Sequence, residues 1–127
     1  MPKMPIETSK AKAIGPYSLG MAAGDYVFLS GQIPLDASSG KLVGNDVAAQ
    51  TEQVFRNISI LLEAAGLTYG HVVKSTVFLA DMGDFAAMNE VYKKYVAAPF
   101  PARSTIQVAA LPMGARVEIE MIAYKGA

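Results

Sequence analysis

Two stretches of this sequence have apolar residues at the three- to four-residue spacing of an amphipathic helix. The first stripe is Val47, Val54, Ile58, Leu61, Leu62 and Ala65, and the second is Phe85, Met88, Tyr92, Tyr95 and Val96. Asp46 and Asp84 precede the stripes and are typical N-cap residues. Gly66 follows the first stripe, and the prolines at 99 and 101 follow the second. The pattern therefore predicts two helices.

Other stretches have the β-branched or alternating pattern of strands, with Gly24-Asp25 and "LPMG" as turns. The predicted strands are 17–22, 26–31, 71–81, 103–110 and 115–124, of which 71–81 is apolar on both faces, as in an inner strand. This order of elements predicts an α+β fold in which two helices cover one face of a mostly antiparallel sheet. The chain of 127 residues is interpreted as one domain, 1–127. The sheet face without helices must also be covered, and a second copy of the chain is expected to cover it.

The composition of the chain excludes several classes of function. The chain is 52% hydrophobic, and its 11 basic residues balance its 11 acidic ones, so it lacks the net positive charge that drives nonspecific nucleic-acid binding. The absence of cysteine excludes disulfides, thiolate metal sites and a cysteine nucleophile. His71 is the one histidine, which excludes a two-histidine ribonuclease site, and it is interpreted as a capping or surface residue. Without an apolar run of signal-peptide or membrane-helix length, the expected location is cytoplasmic, with no membrane partner.

The most informative charged residue is Arg103, one of three arginines, in "FPARS" at the start of a predicted strand. Alternation gives the last two strands one polar face each, formed by Arg103, Thr105 and Gln107 and by Arg116, Glu118 and Glu120. A short turn predicts that these strands are antiparallel neighbours, so that a guanidinium and one or two carboxylates share a sheet surface. A salt bridge worth about 0–1 kcal/mol is the commoner meaning of such spacing. The position beside a loop favours instead a site that binds a small carboxylate.

Tyrosines at three positions have different expected roles. Tyr17 follows a Gly-Pro turn, where it either presents its phenol at a cleft edge or packs within the turn. Tyr92 and Tyr95 belong to the apolar stripe and are interpreted as core residues.

Several motifs together resemble the RidA/YjgF/UK114 family over nearly the whole chain. They are "AIGPYS", "LSGQIP", "AAQTEQVFRNISILLEAAG", "KSTVFLAD", "FPARSTIQVAALP" and "VEIEMIA", in this order. The resemblance implies a chorismate-mutase-like fold, a homotrimer, and active sites in the clefts between subunits.

The resemblance also implies an activity, the hydrolysis of reactive enamines and imines such as 2-aminoacrylate to a 2-keto acid and ammonia, without cofactor or metal. An imine carbon is already electrophilic, so such an enzyme has mainly to orient the substrate, place water and assist proton transfer. By the same resemblance, Arg103 binds the substrate carboxylate and Glu118 positions or activates the attacking water. The implied pocket-lining residues are Tyr17, Ser30, Gly31, Asn89 and the backbone at Thr105.

Two positions depart from the family pattern, since many members have cysteine where this chain has Thr105 and an acid where it has Gln107. These departures affect the expected pocket polarity and substrate preference. Two other functions stay open: a small-carboxylate-binding protein without turnover, and an RNA-acting translation inhibitor or ribonuclease. The balanced charge argues against the second.

Overall fold

A six-stranded sheet with both helices on one face forms the centre of the computed structural model, which describes residues 2–127. The strands of this sheet are β1 (Met4–Ile6), β2 (Gly20–Ala23), β3 (Tyr26–Gln32), β6 (Val72–Leu79), β7 (Ala102–Gln107) and β8 (Val117–Tyr124). A separate two-stranded sheet consists of β4 (Leu35–Asp36) and β5 (Lys41–Leu42). The helices are α1 (Val47–Ala64) and α2 (Phe85–Tyr95). The predicted α+β class is confirmed.

The first helix begins and ends where the sequence predicts. The Asp46 carboxylate accepts a hydrogen bond from the backbone N–H of Ala49 at 2.8 Å, and Gly66 follows the helix with φ at +74°. The second helix begins differently from the prediction. Asp84 occupies its N-cap position but makes no capping hydrogen bond; its carboxylate lies 3.6 Å from Arg116 Nη1. A short 3-10 turn precedes α2, and its own cap is Asp81.

The hydrophobic core lies between the helices and one face of the sheet. Its largest fully buried side chains include Phe55, Ile58, Leu61, Leu62, Leu79, Met88, Ile119 and Met121. The opposite face carries no helix from the described residues and exposes large apolar side chains, with Tyr26, Phe28 and Ile106 each 45–47% accessible. Within residues 2–127, neither helix is apolar enough over a sufficient length to cross a bilayer.

The last two strands of the chain are not neighbours, so the predicted hairpin between them is wrong. The sheet order is β1-β2-β3-β8-β6-β7, which places β6 between β8 and β7. The physical reason is the helix between β6 and β7: a strand–helix–strand unit brings its two strands together in parallel, and the β6–β7 pair is parallel. The segment from β7 to β8, which contains the 3-10 turn Pro112–Gly114, then passes the end of β6.

Candidate active site

Arg103 is the second residue of the edge strand β7 and points toward α2. Its Nη1 donates a 2.6 Å hydrogen bond to Asn89 Oδ1, and its Cζ lies 4.6 Å from the centre of the Tyr92 ring and 5.5 Å from that of Phe85. Cations are attracted to aromatic faces at such distances. We call the depression around this guanidinium the arginine half-site; its lining residues are Asn89, Tyr92, Lys93, Phe100, Pro101 and Arg103.

The guanidinium of Arg103 has no carboxylate partner among residues 2–127. Within residues 2–127, its one hydrogen bond is to the neutral side chain of Asn89, and no carboxylate oxygen lies within 4.0 Å. The cross-strand salt bridge considered from the sequence is therefore not formed in this chain. Because a guanidinium has five N–H donors in a planar fork, the donors not used by Asn89 suit a small carboxylate.

Glu118 lies in a second groove, on the other side of the sheet. We call this groove the glutamate half-site; its lining residues include Tyr17, Leu19, Gly31, Gln32, Ile33, Pro112 and Glu118. Tyr17 is 47% exposed, which fits a phenol at the edge of a cleft better than a packed turn residue. The predicted Tyr17, Gly31 and Glu118 are thus brought together by the fold.

Gly31 and Glu118 fit each other closely. A register shift in the β3–β8 pair between Leu29 and Gln32 sets Gly31 against the glutamate side chain. A Cβ atom at position 31 would lie 2.6 Å from Glu118 Oε2 and 3.0 Å from its Cδ. Glycine is therefore needed for the carboxyl group to occupy this place.

The pKa of Glu118 is raised above its ordinary value. Partial burial is the main cause, and repulsion from Glu120, two residues further along the same strand face, is the second. A carboxyl group with a raised pKa exchanges its proton closer to neutral pH, as a group that passes a proton between water and substrate must.

Ser30 has a structural partner. Its hydroxyl donates to the Ser18 carbonyl oxygen at 2.6 Å, and its backbone N–H donates to the Leu19 carbonyl oxygen at 2.9 Å. These bonds tie β3 to the segment that follows Tyr17, so Ser30 holds one wall of the glutamate half-site in place. Its contact with a substrate stays a prediction.

The two half-sites face opposite sides of one sheet. In the strand register, Arg103 is level with Ser75 and Met121, which are buried beneath the helices. Glu118 alternates with the buried Val117 and Ile119 and therefore faces away from the helices. The predicted common surface for Arg103 and Glu118 is wrong for a single chain, because it depended on the hairpin that does not form.

The remaining candidates differ in their surroundings. Thr105 lies two residues beyond Arg103 on the same strand face, and its hydroxyl oxygen is buried without a hydrogen-bond partner among residues 2–127. Gln107 is engaged elsewhere, since its Oε1 accepts a 2.8 Å bond from the Met82 N–H. His71 has the predicted capping role, with Nδ1 accepting from the Thr68 N–H at 3.1 Å.

The sequence interpretation missed the aromatic support beneath Arg103. Tyr92 is only 5% exposed and belongs to the core as predicted, yet one face of its ring lies under the guanidinium. A signal was present in the sequence: Phe85, Asn89 and Tyr92 are spaced i, i+4, i+7 on one helix face, and an amide within an apolar stripe implies a polar neighbour.

No three histidine, cysteine, aspartate or glutamate side chains of residues 2–127 cluster closely enough to hold a metal ion. The chemistry that the two half-sites offer is a cation for a small anion and a carboxyl group for proton transfer.

Comparisons with known proteins place this arrangement in a family. The sequence profile of the family described as Endoribonuclease L-PSP matches residues 7–125. The human 2-iminobutanoate/2-iminopropanoate deaminase is 49% identical over 122 residues, which cover 95% of this chain and 89% of the human protein.

Solved structures agree with this match. The crystal structure of RidA from the Antarctic bacterium Psychrobacter has a TM-score of 0.90 and 46% identity, covering 95% of this chain and 98% of that one. E. coli TdcF, crystallised with bound serine, has a TM-score of 0.88 and 44% identity, covering 95% and 98%. The chain belongs to the Endoribonuclease L-PSP family, which includes the RidA proteins, as the sequence motifs predicted.

Proposed function

We propose that this protein is a 2-iminobutanoate/2-iminopropanoate deaminase, which hydrolyses 2-imino acids and their enamine tautomers to 2-keto acids and ammonia. The observation that carries the proposal is the arginine half-site, where an aromatic ring and an amide hold a guanidinium that has no carboxylate partner in the described part of the chain. A 2-imino acid supplies the missing carboxylate. The human relative that is half identical to this chain is named for the same reaction.

The chemistry assigns one task to each half-site. Arg103 donates two parallel N–H···O hydrogen bonds to the substrate carboxylate, which fixes the position of the adjacent C=N carbon. Glu118 takes a proton from a water molecule as the water oxygen bonds to that carbon, and it then gives this proton to the nitrogen. The hydroxyl proton of the resulting carbinolamine passes to its nitrogen, and ammonia leaves as the C–N bond breaks and the C=O bond forms. An enamine substrate first takes a proton on its terminal carbon and loses one from its nitrogen, which gives the imine.

We propose further that the active site is completed by a second copy of the chain, in a homotrimer. The half-sites lie on opposite faces of one sheet, so a single chain cannot bring both groups to one substrate. A contact that joins two different surfaces is heterologous, and such contacts close into rings when the rotation permits. Tyr26, Phe28 and Ile106 on the helix-free face supply apolar area for the contact. Tyr17, Gly31, Asn89 and the Thr105 backbone complete the proposed pocket.

The first test is the rate of 2-iminopropanoate loss, with the imine generated in situ by a serine dehydratase. Acceleration by the wild-type protein that is lost in Arg103→Ala is the expected result. If neither protein accelerates the loss while the assembly stays intact, the deaminase proposal fails.

The composite site has a separate test, in which Arg103→Ala and Glu118→Gln chains are coexpressed. Each variant alone is expected to be nearly inactive, but every mixed trimer contains one site with both groups intact. Random assembly of equal amounts should therefore restore about a quarter of the wild-type activity. If the mixture stays inactive although mixed trimers are present, both groups belong to one chain and the proposed assembly is wrong.

A binding role without turnover is the second candidate. It is favoured by one observation, the serine bound to the related TdcF, because serine also carries an α-carboxylate. Thermal protection of the wild-type protein by serine, lost in Arg103→Ala, together with no acceleration of imine loss, is the result that supports it.

A further inference from the structure

A pair of buried hydroxyl groups lies directly beneath the arginine half-site. Ser75 of β6 is fully buried and pairs in register with Arg103 on the neighbouring strand. Its Oγ is 2.6 Å from the phenol oxygen of Tyr92, which reaches down from α2. Because the site is closed to solvent, each hydroxyl depends on the other for its hydrogen bond.

This bond fixes the ring that supports the guanidinium. The edge-to-face contact between Tyr92 and Phe55, with ring centres 5.6 Å apart at 80°, restrains the ring from the core side. The hydroxyl bond to Ser75 restrains its far end. Arg103 lies over a face of this restrained ring, with Cζ 4.6 Å from the ring centre.

We propose that Ser75 and Tyr92 are positioning residues that hold Arg103 in its carboxylate-binding orientation before the substrate arrives. This inference rests on the proposed function, in which Arg103 captures a 2-imino acid. An arginine side chain loses rotamer entropy when it is immobilised. A guanidinium already held by the Tyr92 face and Asn89 loses less of it on binding, which increases affinity. Ser75 is too deeply buried to touch the substrate, so its effect is indirect.

The chain offers a matched control for this hydroxyl pair. Ser59 and Tyr69 form a second serine–tyrosine pair, with their side-chain oxygens 3.0 Å apart, and the Tyr69 ring contacts the same Phe55. Neither residue contacts Arg103 or lines either half-site. Both hydroxyls also donate to the Phe55 carbonyl oxygen, so loss of the Tyr69 hydroxyl tests the general stabilising effect of a part-buried tyrosine hydroxyl without the arginine.

The kinetic test compares Tyr92→Phe, Ser75→Ala, their double variant and Tyr69→Phe in the imine assay. We expect KM to rise about fivefold in the three variants of the Ser75–Tyr92 pair, with kcat changed less than about twofold, since carboxylate binding acts equally before and in the transition state. The double variant leaves no unpaired hydroxyl, so it should regain stability but not the wild-type KM. In Tyr69→Phe, KM should be unchanged.

A second measurement does not depend on activity. The chain has three arginines, so its arginine Nε–Hε region contains three NMR signals, and the Arg103 signal is identified by its loss in Arg103→Lys. A group above a ring face is shifted by the ring current, and we expect this shift to change in Ser75→Ala and to stay in Tyr69→Phe.

The outcomes separate the two proposals. If the wild-type protein has no deaminase activity, the proposed function fails, while the Arg103 signal still tests the positioning role. An unchanged Arg103 signal in both Ser75→Ala and Tyr92→Phe, or a KM that rises equally in Tyr69→Phe, would overturn the inference.

Discussion

The close fit between Gly31 and Glu118 predicts the effect of a single added methyl group. In Gly31→Ala, the new Cβ would start 2.6 Å from Oε2 of Glu118, whereas ordinary contacts begin at 3.4 Å, so the carboxyl group must move by about 0.8 Å. Overpacking in a closed core costs about 1–3 kcal/mol of folding stability, and we expect the lower end here because Glu118 is a flexible, half-exposed side chain that can move aside. A displacement near 1 Å within a reacting arrangement lowers rates by as much as about 100-fold.

The expected signature is therefore a fall in kcat with little change in KM. The added methyl group displaces the proposed proton-transferring group but leaves Arg103 on the opposite sheet face untouched. We expect kcat for 2-iminobutanoate hydrolysis to decrease about 10- to 100-fold. Urea denaturation at a fixed protein concentration measures the accompanying loss of stability.

The control is the same substitution in a Glu118→Ala background, where the contact partner is absent. There, Gly31→Ala should cost almost no further stability, because residues in contact are energetically coupled. Gly70→Ala, where a Cβ would meet only Thr68 Oγ1 at 3.4 Å, is a control for a glycine far from the site. Full activity in Gly31→Ala, or an equal cost in both backgrounds, would refute the proposed steric coupling.

Three further predictions concern charge and capping. Arg103→Lys should lose most of the deaminase activity while the assembly stays intact, because an ammonium group cannot form the bidentate fork. Arg116→Lys is the control and should keep the activity, since Arg116 pairs with Asp84 outside both half-sites. For Glu118→Gln, we expect kcat to fall and stability at pH 7 to rise by less than about 1 kcal/mol, since the half-exposed carboxyl group is screened by solvent. The sign follows from the raised pKa of Glu118, which is caused first by burial and then by Glu120. The folded chain favours the neutral carboxyl group. This contribution to folding stability is therefore fully present below pH 4.5 and is lost as the pH rises through the raised pKa. Wild type and Glu118→Gln should thus be equally stable in acid, and a gap that persists below pH 4 contradicts this reasoning. Asp46→Ala should cost about 1 kcal/mol in urea denaturation with unchanged KM, and no loss would mean that the Ala49 N–H finds another acceptor.

The features that the sequence predicted well are those set by neighbouring residues. The first helix was predicted from its apolar stripe, from Asp46 before it and from Gly66 after it, and all three act within a few residues. The inner position of β6 was also predictable, because apolar residues on both of its faces can be buried only inside a sheet. The small strands β1, β4 and β5 were missed, since each has only two or three residues and too short a pattern.

The hydrophobic pattern of the sequence did not determine which strands pair in the sheet. A short "LPMG" segment suggested a hairpin, but a turn signal predicts a change of direction and not the partner of the following strand. The intervening helix α2 was the better guide, since a helix between two strands of a sheet favours their parallel pairing. That one error placed Arg103 and Glu118 on a common surface, and the alternation within each strand, which was predicted correctly, shows that they face opposite ways.

The separation of these two groups has a chemical consequence. Had Arg103 and Glu118 shared one surface of neighbouring strands, an ion pair between them would lower the pKa of the carboxyl group and occupy donors of the guanidinium. With β6 between them, Arg103 is held by neutral partners, and burial keeps the pKa of Glu118 raised. The guanidinium therefore keeps N–H donors free for a substrate carboxylate, and the carboxyl group keeps a pKa suited to its proposed proton transfer. A site assembled from two chains can then bring them to opposite ends of one substrate, with the imine between them instead of a salt bridge.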